Sequence, residues 1–474
     1  MIKKRLSKIL LSLCSILVIF LVKYSHSTET LAGSIKAISA DDFVNSIGVV
    51  THLSYTETPY AQNWDDNNPS YNLQELLSEL GIRHIRDRML SPSYSPVLSY
   101  APVRFAQLYK NAGIKLTVLI DLKKDEILDH SPISGEVEFW SKGRFNINAD
   151  LIHIADTIEA IEGPNEYDNP KYTPDKNWPT TLREYQRKLY NLVKQNDILA
   201  SKPVLMPSLV RTDNCQKVGD LTDIIDKANI HSYPSYPYWR FPSATINWHL
   251  NNVKKCSEEQ PIIATETGYT TVPGKLDEQT EAKYLPRLFA EYFSRGIERT
   301  FTYEFIDIPR HNGIQAHFGL IKAKSINEDE FTSYILNPKK SYYALKNLIN
   351  LLNDSQWDSQ NKSWGQPNFE SRALNIEFFD KERSTHYLLL QKSDGNYYLL
   401  LWREIEAYNK RRGNFENDID KLEIKVVDDL LSASQYSYDT NFNYVEKELQ
   451  VSDNSITVKV PDSLTVIKIV PKLN

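Results

Sequence analysis

The sequence predicts a (β/α)8 barrel followed by a β-sandwich, and three observations carry that reading. Short apolar runs alternate with amphipathic stretches through eight rounds between residues 47 and 353, the pattern of a barrel of roughly 250 residues or more. No G-x-G-x-x-G follows any of those runs, which disfavours the runner-up, a doubly wound open sheet. Beyond residue 356 the periodicity changes from helical to alternating, as in Leu422, Ile424, Val426 and in Ile456, Val458, Val460, which is strand spacing.

Taken in order, residues 1–27 open with Lys3, Lys4, Arg5 and Lys8, continue through an apolar run from Ile9 to Val22, and end in Ser25-His26-Ser27. That is the order of an export signal, either cleaved or kept as an N-terminal anchor, since an apolar run this short falls below the roughly 20 residues of a comfortable span. The expectation is an exported protein, secreted, periplasmic or held at the cell surface, with no membrane contact beyond that segment. Without it, 50 basic residues face 61 acidic ones, a net charge of −11. Nucleic acid is excluded as a partner on that balance, because phosphate binding needs a basic face.

The barrel is expected over residues 41–353, with strands at 48–52, 82–86, 115–120, 157–162, 203–207, 228–231, 261–265 and 300–305. Apolar stripes at three- and four-residue spacing mark the helices between them, for example Leu182, Tyr185, Leu189, Leu192 and Val193, or Leu285, Leu288, Phe289, Tyr292 and Phe293. Residues 122–149 lack a clean helical period and are expected to form a long loop over the top face, as are residues 306–338. The sandwich is expected over residues 356–474, with Asp394-Gly395 as a hairpin turn and a strand borrowed from residues 31–40. Export leaves Cys215 and Cys256. The layout puts one just past a strand tip and the other near the far end of the next helix, so two free thiols are expected, a disulfide needing Cα atoms within about 7 Å.

Side chains at the C-terminal ends of barrel strands share one cup. Collecting them gives His52, Arg86 with Asp87, Asp121, Asn165 with Glu166, His231 with Tyr233, Glu266, and Tyr303 with Glu304. Glu166 closes the strand-breaking run Gly163-Pro164-Asn165-Glu166, and Glu266 ends Ile262-Ile263-Ala264-Thr265. Two carboxyl groups facing each other across a glycosidic bond are the minimum equipment for cleaving sugars. Tyr and Trp are frequent, 28 and 8 of 474 residues, and their rings suit sugar faces; Trp239, Trp64 and Phe318 are the platform candidates. No H-x-H and no H-E-x-x-H occurs, so neither a metal nor another cofactor is expected.

On Asn165-Glu166, Glu266, His231, Tyr233 and the appended sandwich, the chain resembles the clan A glycoside hydrolases, the retaining superfamily that includes families 5 and 39. The resemblance implies a (β/α)8 catalytic barrel acting on β-linked poly- or oligosaccharides. It implies Glu166 as acid/base, Glu266 as nucleophile, Asn165 as the contact to the sugar 2-hydroxyl and Tyr233 as the group that steadies Glu266. Arg86 matches an arginine that contacts the nucleophile, and His52, His231, Tyr303, Glu304 and Trp239 complete the expected substrate contacts. A non-catalytic polysaccharide-binding or assembly protein on the same barrel stays open as the alternative.

Overall fold

The structure is a computed structural model that describes residues 28–472, apart from 57, 63, 65–71, 93–99, 121–130, 172–174, 235–238, 312 and 327–333. The export segment therefore lies outside the described residues, as does Asp121. Among the described residues no helix is long and apolar enough to cross a membrane.

Eight parallel strands form the barrel: Ile47–Val50, His84–Arg88, Lys115–Leu119, Ile158–Glu162, Val204–Leu205, Ala228–His231, Ile262–Thr267 and Ile297–Thr302. The eighth pairs with the first, and a parallel bridge between Leu205 and Lys227 joins the fifth to the sixth. Ring closure removes the sheet edges that an open sheet would expose. Inside, Val50, Ala160, Leu205, Ile263 and Phe301 fill one apolar layer. Gly48 belongs to that packing, since a Cβ there would lie 2.5 Å from the Phe301 ring. Above this layer the interior turns polar, because Arg86, Glu162, Asn229 and Thr265 point inward and satisfy one another, as buried polar groups must.

The third round differs from the expected loop. Residues 121–130 lie outside the description, but Ser131–Lys142 is a helix and Arg144–Ile147 pairs with Asp150–His153 as a hairpin. Ile133, Val137 and Trp140 are buried at helical spacing. Reading the helix and the hairpin in one window is what blurred the period.

The C-terminal region contains two facing sheets, antiparallel except where Ile38–Ser39 pairs parallel with Thr385–Gln391. Thr28–Lys36, Ala373–Glu382, Asp420–Val426 and Ser455–Val460 make one of four strands; Ile38–Ser39, Thr385–Gln391, Tyr397–Arg403, Thr465–Pro471, Leu430–Tyr438 and Tyr444–Leu449 make the other of six. Every residue of Tyr397–Arg403 is buried. Its two faces have different hosts: Leu399 and Leu401 enter the sandwich core, while Leu400 and Trp402 join the core that the barrel helices build. Arg287, on the helix Glu278–Ser294, crosses that interface to the carbonyls of Asp462 and Ile405 at 3.0 and 3.1 Å.

The cysteines correct the expectation of free thiols. Cys215 and Cys256 are joined, with Sγ atoms 2.31 Å and Cα atoms 5.1 Å apart. The fifth strand ends at Leu205, two residues before the expected 207, and ten further residues lead from there to Cys215. By Cys215 the chain has already turned back down beside the helix Ile246–Ser257, where the Leu221 amide donates to the Cys256 carbonyl at 2.7 Å.

Candidate active site

The fourth strand ends at Glu162, and Gly163-Pro164 turns the chain sharply into the mouth of the barrel. Glycine leaves room there for Gln186, whose Oε1 would lie 2.2 Å from a Cβ at residue 163 and would have to shift. Glu166 follows in the left-handed region at φ 45°, an uncommon conformation for a non-glycine residue. Its amide donates to the Ser208 carbonyl at 3.1 Å, which holds the bend and presents the carboxylate to the cavity. Glu266 arrives by a simpler route, as the fifth residue of the seventh strand.

The two carboxylates meet. One oxygen of each, together with a ring nitrogen of His231, falls inside a group whose members are all within 4.8 Å of one another. His231 Nδ1 lies 2.9 Å from Oε1 of Glu166 and 3.6 Å from Oε2 of Glu266. Arg86 Nη1 donates to Oε1 of Glu266 at 2.6 Å, and the Tyr233 hydroxyl donates to Oε2 at 2.9 Å. Both Glu266 oxygens are thus engaged by fixed donors, an arrangement that serves an anionic carboxylate rather than a cation's ligand set.

Electrostatics follow from these contacts. Burial pushes the Glu266 carboxyl up, but His231, Arg86 and Tyr233 outweigh it and hold the group below the usual carboxylate range. Burial likewise opposes the charged form of His231, and here Glu266 and Glu166 win, raising the imidazole above its ordinary value. Desolvation, with the Glu266 charge behind it, keeps the Tyr233 phenol far above its usual value, so it stays a donor.

Arg86 is the hub. Its Nε and Nη2 grip Glu162 at 2.6 and 2.8 Å, and Nη2 also reaches Oδ1 of Asn165 at 2.7 Å. Ser208 donates to the same Asn165 oxygen at 3.1 Å, leaving the amide nitrogen as the group the side chain can offer. Glu162 completes its shell with Asn229 and Thr265, at 3.0 and 3.2 Å. Sequence reading missed Glu162, although a glutamate at the end of a buried strand was a signal that a basic partner must answer it.

His52 and Tyr303 line the cavity, a space of about 630 Å³ that also holds Asp87, Asn165, Phe318 and both glutamates. Two expected contacts are corrected. Glu304 is fully buried behind His52, its Oε2 3.1 Å from Nε2 at an angle that makes no hydrogen bond. Burial first, then Asp307 and Glu266, push its carboxyl well above the usual range. Trp239 is absent from the lining and packs instead against Tyr408 of the second domain, ring centres 5.5 Å apart, because its loop is tied there through Ser243 to Glu404 at 2.7 Å. Asp87 accepts from Thr51 and the Leu53 amide at 2.8 and 2.7 Å. Burial raises it to about 6. Trp64 donates to Gln107 at 2.8 Å as part of the packing.

No family model matches the chain, and no curated protein does. Solved structures do. A family 39 glycoside hydrolase from Bacteroides cellulosilyticus WH2 superposes with a TM-score of 0.54 at 14% identity, over 91% of this chain and 82% of that one. The fold is shared with glycoside hydrolases. A family 51 α-L-arabinofuranosidase from Bifidobacterium longum gives 0.55 at 10% identity over 94% of this chain and 100% of the other. A glucosidase from Croceicoccus marinus gives 0.56 at 10% identity, over 94% and 99%. The likeness runs through barrel and sandwich together.

Proposed function

We propose that this protein is a retaining glycoside hydrolase that cleaves β-linked bonds in a poly- or oligosaccharide. One observation carries the reading: carboxylate oxygens of Glu166 and Glu266 lie within 4.8 Å of each other. Carboxyl groups about 5 to 5.5 Å apart suit double displacement, whereas inversion needs roughly 6.5 to 9.5 Å to admit a water between them. The β configuration is the one implied by the clan resemblance on Asn165-Glu166 and Glu266.

In this reading Glu266 attacks the anomeric carbon while the glycosidic bond breaks, and the departing oxygen takes a proton from Glu166. The covalent ester uses up the Glu266 charge. Glu166, now a carboxylate, removes a proton from water, the water oxygen bonds to the anomeric carbon, and Glu266 leaves with its electron pair. Arg86 and Tyr233 support the first step by keeping Glu266 ionised and aimed. Asn165 is oriented by Arg86 and Ser208 to meet a ring hydroxyl of the bound sugar. The substrate is a carbohydrate, met outside the cell if the N-terminal segment directs export.

An activated 2-fluoro glycoside tests the reading directly. Peptide mapping is expected to find the sugar on Glu266, and NMR of the first-formed product is expected to show retained anomeric configuration. A label elsewhere, or an inverted product, removes the mechanism.

A further inference from the structure

The two glutamates divide the cavity between them. His52, Arg86, Asn165 and Tyr303 belong to the half built on the first, second, fourth and eighth strands, and in the reading above that half holds the sugar that Glu266 attacks, because Asn165 meets its hydroxyl. Val210, Arg211 and His249 line the other half, on the segments that follow the fifth and sixth strands. That wall is tied to the acid. The Glu166 amide donates to the Ser208 carbonyl at 3.1 Å. Asp168 accepts from the amides of Val210 and Arg211 at 2.8 and 3.3 Å and from the Asn214 side chain at 2.7 Å. A group that takes its proton from Glu166 therefore departs along this wall.

His249 brings a spare hydrogen-bonding atom to the wall. The residue is 8% exposed, its Nδ1 lies 2.7 Å from the Thr212 hydroxyl, and its Nε2 makes no hydrogen bond with any described residue. The contact with Thr212 is clamped, because the disulfide from Cys215 to Cys256 ties the loop carrying Thr212 to the helix Ile246–Ser257 that carries His249. Burial first, then the charge on His231, hold the ring down to about 4. It is therefore neutral near pH 7, and a hydroxyl, both donor and acceptor, can pair with Nε2 in either tautomer. Trp248 extends the wall. It is 44% exposed, and its ring centre lies 4.9 Å from that of His249. An open aromatic face beside a polar pocket suits the apolar face of a sugar.

We infer that His249 and Trp248 bind the leaving group as a chain of at least two sugars, His249 hydrogen-bonding the unit next to the cleaved bond and Trp248 stacking on the one after it. This rests on the hydrolase reading given above and deepens it by naming the residues that recognise the departing half of the substrate. An apolar aglycone would cover Nε2 without pairing it, which costs binding.

The test pairs substrates that share a glycone. Cellobiosyl, xylobiosyl and mannobiosyl β-fluorides place no sugar against the wall; cello-, xylo- and manno-oligosaccharides, trimers to hexamers, do, and their products identify the bond cleaved. For each backbone kcat/KM on the oligosaccharide is divided by that on the fluoride, a ratio that cancels any general loss of active protein. His249→Phe is expected to lower the ratio about fivefold or more, the worth of a hydrogen bond lost with its partner left unpaired. His249→Gln, which keeps a neutral donor and acceptor, is expected to restore most of it. Trp248→Ala, a change at an exposed side chain, is expected to lower the ratio only for leaving groups of two or more sugars. A ratio that survives His249→Phe or Trp248→Ala, a loss in His249→Gln equal to that in His249→Phe, or wild-type turnover of the fluorides alone overturns this inference while leaving the hydrolase standing. Turnover of no fluoride and no oligosaccharide sinks both.

Discussion

Arg86 binds two glutamates at once, Glu162 along one edge of its guanidinium and Glu266 at Nη1, all at 2.6 to 2.8 Å. One residue therefore joins the reacting carboxylate to the buried floor of the barrel. Replacing Arg86 with Gln leaves Glu162, fully buried, without its countercharge. Urea unfolding should show a loss of about 3–5 kcal/mol, the cost of orphaning one half of a buried pair. Arg86 is also among the groups that overcome burial to hold Glu266 low, so the acidic limb of kcat/KM should move to higher pH. An unmoved limb would mean that the ionisation governing activity belongs to some other group.

Glu166 touches His231 and solvent, not Arg86, and its removal should leave the floor intact. Glu166→Ala is expected to lower kcat/KM by about 10²–10⁴-fold on glycosides with poor leaving groups, the usual worth of general acid catalysis. A dinitrophenyl leaving group needs no proton, so its release from the enzyme should be much less affected in the glycosylation step. Equal losses on both substrates would deny Glu166 the role of acid.

How much of this was legible beforehand depends on which force sets each position. Most of the eight strands announce themselves as short runs led by apolar residues between turn and helix signals, and Asn165-Glu166 stands out because Gly163-Pro164 stops such a run abruptly. Glu162 was hidden for the opposite reason: it sits inside the apolar run, and only the approach of Arg86 from a distant strand gives it meaning. The Cys215–Cys256 link was misjudged because the ten residues after Leu205 turn back beside the helix Ile246–Ser257 before Cys215 is reached, a course that local pattern does not encode. Trp239 and Glu304 were assigned by position in the chain alone; contacts from Ser243 to Glu404 and the burial of Glu304 behind His52 are tertiary facts that local pattern does not encode.

His231 supplies a pH-dependent term. Glu266 and Glu166 outweigh burial and raise its folded value above an unfolded one of about 6.5. The fold then favours the protonated ring, so this stabilisation is fully present below about pH 6.5 and is lost as pH rises through the higher folded value. The stability difference between wild type and His231→Gln, from urea unfolding at a series of pH values, should shrink as pH increases from about 6 toward 9. A difference that is flat or grows would show that the imidazole is not charged in the folded protein.

The bond between Cys215 and Cys256, 41 residues apart in the chain, closes a segment that contains the sixth strand, Ala228–His231, which carries His231 to the site. Both cysteines are fully buried, so a thiol reagent should find neither in the native, oxidised protein. Cutting the link by Cys256→Ser should cost roughly 2–4 kcal/mol, the typical contribution of a disulfide closing a loop of this order. The expected signature is a lower denaturation midpoint for Cys256→Ser, matched by wild-type protein unfolded in reductant and unchanged when reductant is added to the variant. Two titratable thiols in the oxidised wild type would instead return the pair to the free state that the sequence suggested.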